Sequence, residues 1–256
     1  MDVMIVVLAK TFVTTFFRYT LLCGGFFLIT TRLLPNWTKN QKIIKTPYEK
    51  EKIVHDLIYS FIQICIAAII YSLLSYPDVS HIFKVYYSVE DYGYVWLVAS
   101  FFVYAFVHDT YFYWTHICFH KFKIFQKIHS VHHYSSDPTA LSTFSFHPVE
   151  AIFHVIWLPL LLCVVPMHTY AIQAMVLFTQ IQNICGHCGL RLIDMPANYR
   201  WLFKFTAFPV HHHTHHQNGK VNYGLYFRHW DFLMKTNDEL APVTDSLNSQ
   251  KKEPGV

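Results

Sequence analysis

Long apolar stretches separated by short polar loops dominate the first half of the chain. Residues 12–31 are mostly apolar with Arg18 as an interruption, residues 57–75 are uncharged, and residues 94–107 form a third apolar run. A helix needs about 20 predominantly apolar residues to cross a bilayer. The pattern therefore predicts two spanning helices, followed by a third that continues into HDTYFYWTHICFH and carries histidines out of the membrane on its last turns.

A longer apolar stretch runs from Ala151 to Leu190 and contains no Lys, Arg, Asp or Glu. It is too long for a single span, and Pro159, Pro166 and the Met-His pair at 167–168 interrupt it near its middle. We predict a helical hairpin that enters the membrane and returns to the same side. The chain is thus expected to be an all-α integral membrane bundle of about four to five spanning helices.

Basic residues predict the orientation of this bundle. Lys and Arg are frequent in the loops 32–52, 121–127 and 191–235, whereas residues 77–91 contain only Lys84. Short cytosolic loops carry the excess of Lys and Arg in membrane proteins. With the hairpin counted as two crossings, the basic loops and the dense histidine clusters fall on one face, which we predict to be cytosolic. The sequon at Asn36 would lie on that face, unused.

Composition supports a multi-pass membrane protein. The 256 residues are 53% hydrophobic and only 14% charged, whereas soluble domains are about one quarter charged. The net charge of +4 is spread among apolar runs without a basic stripe, which excludes nucleic acid as a partner. We divide the chain into N-terminal membrane helices with a basic loop (1–94), a catalytic domain (95–236) and a polar tail (237–256) that is expected to be disordered.

The six cysteines predict no disulfide framework, because most of them lie in apolar runs where a free cysteine behaves as a small hydrophobic residue. The sequence CGHC at 185–188 matches a redox motif in its letters. That motif requires a strand-to-helix context, whereas here it follows an apolar helical run. A redox role is therefore not favoured.

Histidine is the residue type that carries the chemistry of this chain. Eighteen histidines occur, and they are clustered rather than scattered. One pair is spaced by four residues, two triplets follow the pattern H-x-x-H-H, and one histidine stands alone between them in NICGHCG. These residues are His116 and His120; His129, His132 and His133; His187; and His212, His215 and His216.

Such spacing places imidazoles on one face of a helix, where two or three of them can converge on one ion. Neutral imidazole suits Zn, Cu, Fe and Ni. Nine nitrogen donors are too many for one ion and match two metals with four or five protein ligands each. His187 stands alone, and its spacing leaves two interpretations open, a ligand or a buried structural histidine. His211 and His213 fall outside the pattern and are expected to be outer-shell or solvated groups.

The ordered motifs HDTYFYWTHICFH, HSVHHYSSDPTALSTFSFHPVEA, NICGHCG and HHHTHHQNGKVNYGLYFRHWDFLMKT resemble the fatty acid hydroxylase and sterol desaturase superfamily. The resemblance covers roughly residues 95–236. Members of that family are membrane-bound histidine-box enzymes that use two non-haem iron ions and O2 to hydroxylate or desaturate lipids. The first box usually has arginine after its first histidine, and here Ile117 stands there. The third often has aspartate where this chain has His213.

The resemblance implies that all nine histidines are iron ligands, including His187. Histidine ligands usually donate their second ring nitrogen to a carboxylate or carbonyl, and we expect Asp109 and Glu150 to be such partners. Asn183 precedes His187 by one turn and is expected to bind the metal or to contact a ligand. His213 is expected to contact a ligand only. The resemblance also implies two iron ions as cofactors, with O2 as co-substrate.

The predicted function is O2-dependent oxidation of a C–H bond in a sterol, fatty acyl or related lipid, with hydroxylation favoured over desaturation. Electrons are expected from an external b-type cytochrome or a ferredoxin, because the chain carries no haem or flavin motif. The location is the endoplasmic reticulum membrane if the source is a eukaryote. The alternatives are a histidine-rich membrane protein that binds or transports zinc or iron, and a catalytically inactive homologue, which would be expected to show a broken box.

Overall fold

Helices account for nearly all regular structure in the computed structural model, which describes residues 3–43, 47–191, 206–207 and 209–238. Of the tail that is predicted to be disordered, only Asn237 and Asp238 are among the described residues. Within the described ranges the fold is all-α apart from one short pair of strands, which confirms the predicted fold class.

The elements follow one another along the chain with short connections. In order they are α1 (Val3–Leu33), α2 (Pro35–Gln41), α3 (Lys50–Ser75), α4 (Pro77–Ser80), β1 (Val85–Tyr86), α5 (Gly93–Lys121), α6 (Lys123–His133), α7 (Pro148–Val164), β2 (Met167–His168), α8 (Thr169–His187), α9 (Pro209–Asn218) and α10 (His229–Leu233). Short 3-10 turns include Val89–Asp91 and Ala140–Phe144.

Three of these helices, α1, α3 and α5, are long and apolar enough to cross a membrane. Their outward side chains are apolar and exposed, such as Leu21 at 58%, Ile58 at 54% and Phe102 at 64%. Large exposed apolar surface would be costly in water and is the expected surface of a protein solvated by lipid. The three spans predicted from the sequence are therefore present, and each helix extends beyond the apolar run that predicted it.

The predicted hairpin is formed by α7 and α8, which meet at β2. Val165 precedes Pro166 and is extended, with φ −103° and ψ 119°, as the residue before a proline prefers. Pro159 lies inside α7 and does not end it. The prediction of a break near the middle is thus confirmed at Pro166, whereas at Pro159 it was wrong. Parallel pairing of Val85 with Met167 ties the turn of the hairpin to the segment before α5.

The main core lies between α5, α7 and α8, where Tyr104, Trp157, Leu162, Met175 and Tyr226 pack together. Tyr226 belongs to the segment between α9 and α10, so the core joins the spans to the C-terminal part of the chain. The spanning helices and the segment between α9 and α10 therefore pack together near the end of the bundle where α5 and α8 finish. The histidines lie at this end.

Candidate metal centre

Four helices deliver the nine predicted histidines to one place. The last turn of α5 provides His116 and His120, which are four residues apart and share a face of the helix. α6 provides a triplet, α8 ends at His187, and α9 provides the second triplet. Seven of the nine are buried at this end of the bundle, and His120 and His133 are partly buried.

The nine side chains form two groups, and within each group the ligand atoms all lie within 4.8 Å of one another. Both triplets are divided between the groups. In α6, His129 and His133 belong to one group and His132 to the other. In α9, His215 belongs to the first group, and His212 and His216 belong to the second. The first group contains His116, His120, His129, His133 and His215, and the second contains His132, His187, His212 and His216.

Hydrogen bonds fix the tautomers of three histidines in the first group. Nδ1 of His116 donates to the carbonyl oxygen of Tyr223 at 3.0 Å, Nδ1 of His215 donates to that of Val221 at 2.8 Å, and Nδ1 of His129 lies 2.5 Å from Glu150 Oε1. When Nδ1 of a neutral imidazole carries the proton, Nε2 has a free lone pair. These three rings therefore present lone pairs to the interior of the group.

The Nε2 atoms then face one another closely. His116 and His129 are 3.2 Å apart at Nε2, and Nε2 of His215 is 3.0 Å from that of His120 and 3.1 Å from that of His133. The lone pairs of His116 and His129 repel at this distance unless a cation lies between them. Two nitrogens bound at ~2.1 Å to one ion are roughly 3.0–3.4 Å apart at ordinary bond angles. The residues of the first group therefore fit a metal ion.

The second group has the same chemistry with different outer partners. Nδ1 of His132 donates to the carbonyl oxygen of Ser145 at 3.1 Å. Ser142 Oγ gives its proton to the carbonyl of Thr139 at 2.8 Å, so it accepts from Nδ1 of His187 at 2.9 Å. Nε2 of His212 lies 3.0 Å from Nε2 of His187. This group also fits a metal ion, and the 3-10 turn Ala140–Phe144 supports it.

Burial keeps the histidines outside the spans neutral, which is the form that binds metal. In α6 burial lowers the pKa of His133 to about 3, and in α9 burial holds the pKa of His215 and His216 well below the ordinary value. Neighbouring imidazoles lower these pKa values further because they disfavour a second positive charge. The electrostatics of the site thus favour unprotonated nitrogen donors at neutral pH.

Glu150 and Asp109 differ in what they contact. Glu150 is fully buried and lies against His129, so the predicted contact with a histidine of the set is present. Asp109 instead accepts from the backbone N–H groups of Tyr226 at 2.7 Å and Phe227 at 3.2 Å, and the histidine nearest its carboxylate is His229 at 3.6 Å. The expectation that Asp109 orients one of the nine histidines was wrong, because the backbone of the segment after α9 binds its Oδ1 instead.

Asp231 was missed by sequence reasoning as a part of the site. Its carboxylate accepts from the backbone N–H groups of Tyr223 and Gly224, each at 2.9 Å, and from Thr236 Oγ1 at 2.7 Å. The loop that it fixes presents the carbonyl oxygens that hold His116 and His215. A Cβ on Gly224 would collide with the carbonyl oxygen of Phe227, so the loop requires glycine there. The sequence contains these residues as NYG at 222–224, WD at 230–231 and Thr236. Only the fold shows that Asp231 bonds the other two segments.

The remaining predicted residues lie close to the groups. Asn183 is half-buried and lines the same cavity as His187. His211 is buried with Nε2 3.3 Å from Asp231 Oδ2, and His213 is 1% exposed. Neither side chain is exposed to solvent, so the expectation that these two histidines are solvated was wrong. Among the described residues, no partner hydrogen-bonds either ring nitrogen of His213.

Replacing Ser142 with alanine is expected to weaken metal binding about 10- to 100-fold, the usual effect of losing a group that orients a ligand. Without the hydroxyl, Nδ1 of His187 has no acceptor and the ring is free to turn. Competition with a coloured chelator would measure the affinity. Ser130→Ala is the matched control, since among the described residues the Ser130 hydroxyl bonds only the carbonyl of Lys127, on the exposed side of α6. Equal metal affinity in both variants would refute the role of Ser142.

Comparison with known proteins agrees with this arrangement. The model of the fatty acid hydroxylase family matches residues 101–236. A delta(7)-sterol 5(6)-desaturase of Aspergillus fumigatus is 32% identical over 191 residues, which are 65% of this chain and 57% of the relative. A second such desaturase, of Gibberella zeae, is 28% identical over 172 residues, 66% of this chain and 52% of the relative.

A C-4 methylsterol oxidase of Schizosaccharomyces pombe is 31% identical over 148 residues, 56% of this chain and 47% of the relative. The chain thus spans about half the length of the curated relatives it matches. No solved structure matches the chain. The family match covers more than half of the chain and contains every histidine of the two groups, and it shows that the chain belongs to the fatty acid hydroxylase and sterol desaturase superfamily.

Proposed function

We propose that the chain is a membrane lipid oxidoreductase that uses two non-haem iron ions and O2 to hydroxylate or desaturate a C–H bond of a sterol. The observation that carries the proposal is the pair of histidine groups, five and four, whose ligand nitrogens converge while five of the nine rings are bound outward through Nδ1. All-nitrogen sets of neutral imidazoles suit iron. When bound, the iron ions would supply activation of O2 and oxidation of the C–H bond.

The substrate would enter a cavity next to the second group. The cavity is lined by His132, His187 and His212 together with the apolar side chains of Phe112, Phe146, Val155 and Trp157. An apolar wall favours a lipid and excludes water, which protects a reactive site from side reactions. The names of the relatives refer to sterols, and this supports a sterol rather than another lipid.

Several groups of the protein would orient the iron ligands and shape the cavity. Glu150 and the carbonyls of Val221, Tyr223 and Ser145 hold the ligand rings in the tautomer that binds iron. His108 stacks on Trp157 at 3.9 Å between ring centres and bonds the hydroxyl of Tyr226 at 2.7 Å, which stiffens the wall of the cavity. These groups orient the ligands and the lipid and exclude water.

The proposal also includes the partners and the location expected from the sequence. Electrons would come from an external b-type cytochrome or a ferredoxin. The histidine groups would face the cytosol, in the endoplasmic reticulum membrane of a eukaryotic source. The catalytic domain would comprise residues 95–236, preceded by the membrane helices of residues 1–94.

The full chain, purified in detergent, is expected to contain two iron ions and to oxidise a sterol when O2 and a reduced b-type cytochrome are supplied. Mass spectrometry of the product distinguishes the reactions, since hydroxylation adds one oxygen atom and desaturation removes two hydrogen atoms. The same assay without O2 is the control. Bound zinc, together with metal flux into proteoliposomes and no lipid product, would instead support metal transport.

A further inference from the structure

Arg18 places a positive charge at the inner side of a membrane-spanning helix. It lies in the middle of α1 and points into the bundle, where its Nε donates to Oε1 of Gln180 on α8 at 2.8 Å. Gln180 is 2% exposed, and its own Nε2 donates to Sγ of Cys23 at 3.4 Å. The amide oxygen of Gln180 is therefore held in the orientation that receives Arg18.

The charge of Arg18 has no counter-ion within the described part of the chain. No acidic side chain there forms an ion pair with it, and its two Nη groups have no hydrogen-bond partner among the described residues. A charged side chain inside a membrane helix is costly, and such residues usually face a cavity and mark a functional site. The Nη groups of Arg18 are therefore hydrogen-bond donors that are available to a ligand in the cavity.

Arg18 and the histidines line the same cavity. Arg18, Gln180, Tyr71 and Tyr104 belong to its lining, as do the histidines of the second group. Gln180 precedes His187 by seven residues on one continuous helix, which is about 10 Å along its axis. The cavity thus has a cluster of hydrogen-bond donors at one position and candidate metal ligands two helical turns away.

We propose that the guanidinium of Arg18, positioned by Gln180, binds the oxygen-bearing end of the lipid substrate. The ligand chemistry is an oxygen acceptor, either the hydroxyl of a sterol or the carboxylate of a fatty acid. The inference rests on the proposed function for the identity of the lipid as a substrate. Because the donors lie two turns from His187, the bound oxygen marks the end of the lipid that is not oxidised.

This assignment involves a part of the chain that the family motifs do not include. Arg18 lies before residues 101–236, which match the family model. The first span would then do more than anchor the protein, since it would select the substrate and fix which carbon reaches the histidine groups. A buried donor that must be matched by the substrate discriminates strongly against lipids that lack the acceptor.

Binding, measured separately from turnover, tests the proposal. The full chain in detergent is titrated with cholestanol, with its parent hydrocarbon cholestane, with palmitic acid and with methyl palmitate. Arg18→Gln is expected to weaken binding of one oxygen-bearing lipid about 10- to 100-fold, the worth of a hydrogen bond to a charged group, and to leave binding of cholestane unchanged. Loss for cholestanol alone identifies a hydroxyl, and loss for palmitic acid alone identifies a carboxylate.

Two further variants keep the test decisive. Arg18→Lys retains the charge and is expected to keep at least part of the affinity, whereas Lys10→Gln removes an exposed charge from the same helix and should change nothing. Metal content of each variant shows that it has folded. Unchanged affinity of Arg18→Gln for cholestanol and for palmitic acid would overturn the proposal. If binding depends on Arg18 but no lipid is oxidised, the proposed function fails, whereas the binding of the lipid oxygen by Arg18 stands.

Discussion

Replacing His132 with alanine is expected to lower sterol turnover by more than about 100-fold and to reduce the metal content from two ions to one per chain. Even residues that only orient a ligand cost 10- to 100-fold when removed, and His132 is itself a candidate ligand. Its Nδ1 is bound to Ser145 and its ring lies 5.0 Å from that of His187, centre to centre. Metal analysis of the purified variant and a turnover assay measure the two effects.

His213→Ala is the matched control. His213 is as deeply buried as His132, at 1% and 2% exposure respectively, and it lies in the stretch that supplies three of the histidines. It belongs to neither group, and no described residue hydrogen-bonds its ring nitrogens. The variant should therefore keep two ions and most of its turnover. Similar behaviour of both variants would mean that the assignment of histidines to the two groups is wrong.

Removing the metal from the whole protein is expected to abolish turnover and to lower the thermal unfolding temperature by roughly 10 °C. Without ions, the Nε2 lone pairs of His116 and His129 face each other at 3.2 Å, and both rings are buried away from water that could relieve the repulsion. Calorimetry before and after treatment with a chelator measures the shift.

Add-back of metal separates the two consequences of this loss. Ferrous iron is expected to restore both stability and turnover, whereas zinc should restore stability alone, since it has no redox chemistry. A chelator-treated protein with an unchanged unfolding temperature and unchanged turnover would contradict the existence of the metal centre. Recovery of turnover with zinc would contradict the oxidative mechanism.

The spans and the hairpin could be predicted from the sequence because the cost of placing charge in a bilayer acts locally, residue by residue. The absence of charge from Ala151 to Leu190, with Pro166 near its middle, was enough to predict α7 and α8. Pro159 was misjudged because a proline within an apolar helix is tolerated where its neighbours pack around it. Leu158 and Leu161 are both buried there.

The outer partners of the histidines could be predicted only in part. Glu150 contacts His129 as expected, whereas Asp109 holds the backbone of Tyr226 and Phe227. Both carboxylates lie near histidines in the sequence, so proximity along the chain could not distinguish them. Backbone carbonyls, which hold His116, His132 and His215, carry no signal in the sequence at all.

The sequence by itself determined that the chain is helical, apolar enough to span a membrane and equipped with eight histidines at ligand spacing, because hydrophobicity and helical periodicity are local properties. Only the tertiary structure decided how the nine divide into five and four, since each triplet sends its members to both groups. It also decided that Arg18 faces the cavity of the site rather than the lipid. Which side chains meet depends on how distant helices pack, and spacing within one helix cannot specify that.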